Sequence, residues 1–158
     1  MHILDIVENS TRAGARNVSI EIVEDSVKNL MTITIIDDGK GMTPEEIGRA
    51  LDPFYTTKKE RDKVGLGLPL LRNTAEQCGG AMSVSSQPGK GTAVRAEMLL
   101  DNIDRPPLGD LSETISILVT TNPKVDFDVA YITDGEEERF TTKDEESAEE
   151  AGDNVPVK

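Results

Sequence analysis

The sequence of 158 residues has one cysteine, one histidine, no tryptophan, two tyrosines and three phenylalanines. A lone Cys78 excludes an internal disulfide framework and reads as a small buried thiol near a helix end. So few aromatic rings leave no platform on which nucleic-acid bases would stack. Positive charge is scarce as well. With 17 Lys and Arg against 30 Asp and Glu, the net charge is −13, and a phosphate backbone would be repelled. Nucleic acid is therefore not an expected partner. No apolar run is long enough to span a bilayer or to act as a secretory signal, which makes the cytoplasm the expected compartment. No G-x-x-x-x-G-K-[ST] loop is present, which excludes a phosphate loop of that type. His2, alone at the chain start, is expected to be structural or solvent-facing.

What remains is enough for one ordinary domain with a real core and an appended subdomain. The charge is uneven. Residues 101–158 hold 16 acids and 5 bases, whereas residues 1–100 hold 14 acids and 12 bases. We therefore expect two regions, a main domain over residues 1–100 and, beyond it, a linker over 101–113, a small strand-rich acidic extension over 114–143, and an acidic frayed tail over 144–158.

Ile3, Leu4, Ile6 and Val7 lie on one stripe of a first helix, which Ala13 and Gly14 end. It begins almost at Met1, so an upstream strand or helix is expected outside this sequence. Asp5 and Asn9, four apart, project from a face other than most of that stripe. Val18, Ile20 and Ile22, then Met31, Ile33 and Ile35, alternate with polar residues and predict a hairpin. The second strand runs into D-D-G-K-G-M, residues 37–42, and Thr43 with Glu46 predicts a capping box on a short helix. Residues 53–64 read as a polar, basic loop. Gly65 and Gly67 precede Pro69 at the head of another helix, a geometry in which successive backbone N–H groups can close on an anion. Strands are expected near residues 82–86 and 92–100, then over 114–121, 126–133 and 138–142, with a tight turn at Asp134 and Gly135. The order predicts an α+β, two-layer sandwich.

Four signals now stand in order: an acid and an asparagine on the first helix, D-x-G-x-G after a strand, the F-Y-T-T-K loop, and G-L-G-L at a helix start. This succession resembles the GHKL superfamily, the ATP-binding domains of histidine kinases, gyrase, Hsp90 and MutL-type proteins. D-I-V-E-N-S-T-R-A-G-A is similar to its N box, residues 37–42 to its G1 box, 53–58 to its F box, 64–68 to its G2 box, and P-G-K-G-T at 88–92 to its last nucleotide-facing turn. The resemblance covers residues 2–100. It implies the Bergerat fold with a mixed sheet, closest to the histidine-kinase-like ATPase domain, and implies ATP and Mg²⁺ as ligands.

On that resemblance Asn9 supplies an oxygen to Mg²⁺, an ion that keeps several waters and asks little of the protein. Asp37, rather than its neighbour Asp38, is expected to accept the adenine exocyclic amine, because it opens D-x-G-x-G. Gly39 and Gly41 let the chain pass close to the purine, Met42 lines it or simply packs, and Thr92 is a candidate donor through water to the same edge. Gly65, Leu66, Gly67 and Leu68 are the expected phosphate-facing helix start. Lys58, with Lys59 as rival, is expected to neutralise phosphate. Asp5 is either a general base acting on the attacking hydroxyl or water, or a helix-surface acid. The short lid resembles that of kinases and no phosphoacceptor hairpin is seen, so the expected activity is transfer of the γ-phosphoryl group to a separate partner protein in signal transduction. An ATPase switch using Asp5, and a non-catalytic ATP/ADP-binding module, are the competing readings. The oligomeric state is left open.

Overall fold

A computed structural model describes residues 3–52, 67–101 and 111–142. Its elements are α1 (Ile3–Arg12), β1 (Asn17–Asp25), β2 (Leu30–Asp37), α2 (Pro44–Ala50), α3 (Gly67–Gln77), β3 (Ala81–Gln87), β4 (Gly91–Leu99), α4 (Leu111–Thr121), β5 (Asp126–Thr133) and β6 (Glu136–Thr141). The strands form one mixed sheet in the order β3-β4-β2-β1-β5-β6. All pairings are antiparallel except β1 with β5.

Period-two alternation sorts the sheet into two faces. Val18, Ile20 and Ile22 of β1, Met31, Ile33 and Ile35 of β2, and Val94, Ala96 and Met98 of β4 are all buried. They share one core with Ile3, Ile6 and Val7 of α1, Leu68, Leu71 and Ala75 of α3, and Leu118 of α4. Each of the Val, Ile, Leu and Met side chains among them contributes roughly 1.5–3 kcal/mol by leaving water, so the helices are held against a single face. The fold is an α+β, two-layer sandwich with a mixed sheet. The capping box of α2 is present: Thr43 Oγ1 accepts from Glu46 N–H at 3.2 Å, and Glu46 Oε1 accepts from Thr43 N–H at 2.9 Å.

The C-terminal part corrects the sequence reading in one respect. Residues 114–121 are helical, within α4, not a strand. Their many β-branched residues favour a strand locally, but β4 and β5 run in the same direction with two strands between them. Joining parallel strands requires a crossover, which α4 provides while Leu118 enters the core and Ile115 and Val119 pack against it. The strand expected over 138–142 begins earlier, at Glu136. Asp134 (φ 50°) and Gly135 (φ 91°) form the anticipated tight turn, and β5 and β6 extend the main sheet beyond β1.

At this end of the sheet the Asp134 carboxylate accepts from Ser26 N–H at 2.7 Å and from Ser26 Oγ at 2.9 Å. The backbone donor above all, then the hydroxyl, holds its pKa below 3.8. At the opposite end Asp38 is likewise held low, chiefly by the Asn17 side-chain amide, against a smaller opposing effect of burial. A depressed folded pKa stabilises above the unfolded value and is lost as pH falls through the folded one. Acid titration of urea stability should therefore show a decline below about pH 4 that becomes shallower in Asp38→Asn and Asp134→Asn. An unchanged slope in both variants would contradict these assignments.

Candidate functional site

Asp37 ends β2, opposite Val18 of β1 and Thr92 of β4. Its parity is that of Ile33 and Ile35, so the side chain turns toward the helices and is only 8% exposed. The energetic question for a buried carboxylate is what donates to it. Oδ2 accepts from Ser10 Oγ at 2.6 Å and Oδ1 accepts from Gly39 N–H at 2.8 Å. With one donor on each oxygen, two of the roughly four acceptor positions of a carboxylate remain.

The D-x-G-x-G bend is pinned on both sides. Asp38 is exposed yet tied down: it accepts from Arg16 N–H at 2.8 Å, Asn17 N–H at 2.9 Å and Asn17 Nδ2 at 2.8 Å. Lys40 N–H donates to Ala13 O at 2.9 Å, and a Cβ at Gly39 would stand 2.9 Å from that same oxygen. Gly41 (φ 74°) has no room for a side chain, since its Cβ would land on the Gln87 carbonyl oxygen. Gly91 (φ 95°) meets the Asp37 carbonyl oxygen in the same way. Lys40 O accepts from Gly89 N–H at 2.6 Å, so the bend and the P-G-K-G-T turn interlock.

Ser86 links them further. Its Oγ accepts from Met42 N–H at 2.8 Å, donates to Gly91 O at 2.9 Å and lies 2.8 Å from Thr92 Oγ1. A hydroxyl has one hydrogen, so when Ser86 donates to Gly91 the Thr92 hydroxyl donates to Ser86. Met42 and Thr92 are half-buried.

Helix α1 connects this cluster to the glycine-led helix. On α1, Asp5 is exposed and Asn9, one turn on, is half-buried. A Cβ at Gly67 would stand 3.0 Å from Asp5 Cβ and 3.5 Å from Ile6 Cγ1, so the start of α3 abuts α1 at Asp5. Leu68 is buried in the core, leaving its backbone rather than its side chain for a ligand. The first N–H groups of any helix lack intrahelical partners and suit an anion. Lys58, Gly65 and Leu66 lie outside the described residues. The described residues thus bring Asp37, Gly39, Gly41, Met42 and Thr92 together at one end of α1, and Gly67 and Leu68 to its other half beside Asp5.

Ser10 and Ser86 are participants that the sequence reading passed over. Both carried a signal: each is a polar residue at a position the apolar pattern assigns to the interior, Ser10 after Ile3, Ile6 and Val7, and Ser86 after Met82 and Val84.

The Asp37 carboxylate suits a ligand that carries a hydrogen-bond donor. A buried carboxylate has acceptor capacity to spare, and the adjoining backbone runs where no Cβ fits. Among the described residues no group of three or more His, Cys, Asp or Glu could cage a metal ion. Mg²⁺ bound mainly by phosphate and water needs no such cage.

The family described as "Histidine kinase-, DNA gyrase B-, and HSP90-like ATPase" matches residues 2–102. The chain is 37% identical over 90 residues to sensor histidine kinase ZraS of Salmonella typhimurium, covering 56% of this chain and 19% of that protein. It is 39% identical over 67 residues to an anti-sigma F factor of Thermoanaerobacter, covering 42% of this chain and 43% of that protein. A putative sensor protein of Shewanella frigidimarina is 31% identical over 94 residues, 59% of this chain and 14% of its own length. The chain thus spans less than half the length of each of these relatives. With the family matched across α1 to β4, this chain belongs to the histidine kinase-, DNA gyrase B- and HSP90-like ATPases.

Proposed function

We propose that this chain binds Mg·ATP and passes the γ-phosphoryl group to a side chain on a separate protein, in the manner of the kinase members of its family. The observation that carries the reading is the buried Asp37 carboxylate, donated to from both sides and with acceptor capacity left, at the mouth of a glycine-lined bend. In this reading Asp37 accepts the adenine amine, and Gly39, Gly41, Met42 and Thr92 shape the purine's surroundings. Asn9 holds Mg²⁺, which when bound neutralises charge on the β- and γ-phosphates. The N-terminal turn of α3, with Gly65, Leu66, Gly67 and Leu68, supplies backbone donors to phosphate, and Lys58 supplies a point charge. Asp5 takes the proton of the attacking hydroxyl as that oxygen bonds phosphorus and the bond to ADP breaks. The names of the relatives, a sensor histidine kinase and an anti-sigma factor, support a partner protein as acceptor and a place in signal transduction.

The test is γ-labelled ATP with the purified chain and candidate partners. Label on a partner protein supports transfer. Label released as phosphate, and lost in Asp5→Asn, points instead to an ATPase switch, while binding with neither points to a nucleotide-sensing module. Asn9→Ala should weaken Mg·ATP and leave Mg-free ATP unaffected. Equal losses in the two would remove Asn9 from the metal.

A further inference from the structure

We infer that Ser10 is a positioning residue that sets purine selectivity through Asp37. The inference rests on the reading of Asp37 as the adenine partner. Ser10 and Asp37 are the two buried polar or charged residues among those described, 4% and 8% exposed. Ser10 sits on the apolar stripe of α1, where alanine would satisfy the helix and the core. A buried hydroxyl there is unfavourable unless it has a partner. Two acceptors are within reach, Asp37 Oδ2 at 2.6 Å and Ile6 O at 3.5 Å, and the single hydrogen goes to the nearer, charged one.

The consequence is orientational. Ser10 donates to one carboxylate oxygen from α1 and Gly39 N–H donates to the other from the bend. Together they fix rotation about the Cβ–Cγ bond of Asp37, so the remaining lone pairs keep one direction. An amine at purine position 6 donates to such a carboxylate. A 6-oxo group presents lone pairs to it and is repelled. Without Ser10 only Gly39 holds the carboxylate, which then turns away from the direction that suits the amine. The 6-oxo purine, which gains nothing from that direction, loses nothing.

The experiment compares Kd values for Mg·ATP and Mg·ITP, by calorimetry and displacement, in the wild type, Ser10→Ala and Ser10→Thr. The wild type should prefer ATP. Ser10→Ala should lose on the order of tenfold in ATP affinity while ITP affinity stays within about twofold. Ser10→Thr, which keeps the hydroxyl, should retain the preference. Equal losses for both nucleotides in Ser10→Ala, or no loss for either, would overturn the role of Ser10. A wild type that binds ATP and ITP equally would instead overturn the adenine role of Asp37 itself, so the two failures are distinguishable.

Discussion

In Asp37→Asn, Mg·ATP affinity is expected to fall by a factor of about 100 or more, because a hydrogen bond to a charged acceptor is worth about 1.5–3 kcal/mol and a misplaced donor adds to the loss. The wild-type carboxylate receives a hydrogen on each oxygen, from Ser10 and from Gly39 N–H. An amide has one acceptor and one donor group. The Gly39 N–H is fixed by backbone and claims the carbonyl oxygen, while the Ser10 hydroxyl can rotate and accept from the new NH₂. What then faces the nucleotide is an NH₂ group beside an oxygen already in use. The adenine amine meets a donor. The fold should survive, since both local partners keep a bond and a buried charge is removed, so calorimetry is to be read beside a urea titration. An ATP affinity matching the wild type in a folded variant would end the adenine assignment.

Gly41→Ala and Gly91→Ala are each expected to destabilise by about 2–5 kcal/mol, combining a left-handed backbone penalty of about 1–2 kcal/mol with overpacking of about 1–3 kcal/mol. Gly41 and Gly91 carry φ of 74° and 95°, and the new methyls fall on the Gln87 and Asp37 carbonyl oxygens. These atoms belong to β-strands and cannot step aside as a flexible side chain would. Gly14 and Gly89 provide the comparison. Their φ values are 82° and 79°, yet a Cβ there has nothing within 4 Å. Gly14→Ala and Gly89→Ala should therefore show only the backbone penalty, about 1–2 kcal/mol. Denaturation midpoints of the four variants separate strain from collision. If Gly41→Ala lost no more than Gly89→Ala, the interlock of bend and turn would not be as described. The same interlock links stability to function, because it is what holds the carbonyl end of Asp37 against Gly91.

Much of this architecture was legible in the residues. Alternation in β1 and β2 and the stripe Ile3, Ile6, Val7 report burial directly, because each strand and α1 has one wet side. The capping box at Thr43 and Glu46 and the turn at Asp134 and Gly135 are local, so no distant contact could overrule them. Residues 114–121 were misread because their helical state follows from the strand order, a property of the whole sheet, while their β-branched side chains speak for a strand. The spacing of Ile115, Leu118 and Val119 was the available clue. In the site, D-x-G-x-G and the later glycines were visible as backbone needs. The identity of the atoms that donate to Asp37 was not, since Ser10 lies 27 residues away in the chain. The partners of Asp38 were hidden for a related reason: exposure alone does not reveal that a carboxylate holds Arg16 and Asn17 in place.

The central claim is that α1, the bend after β2, the turn before β4 and the start of α3 serve one nucleotide. Titrating ¹⁵N-labelled chain with Mg·ATP and following backbone amides tests it most directly. Ser10, Gly39, Met42, Thr92 and Gly67 should shift together along one saturation curve, while Ser26 and Gly135 at the far end stay still. Saturable shifts that leave Gly39 and Thr92 unmoved, or that follow a different curve at Gly67, would contradict it.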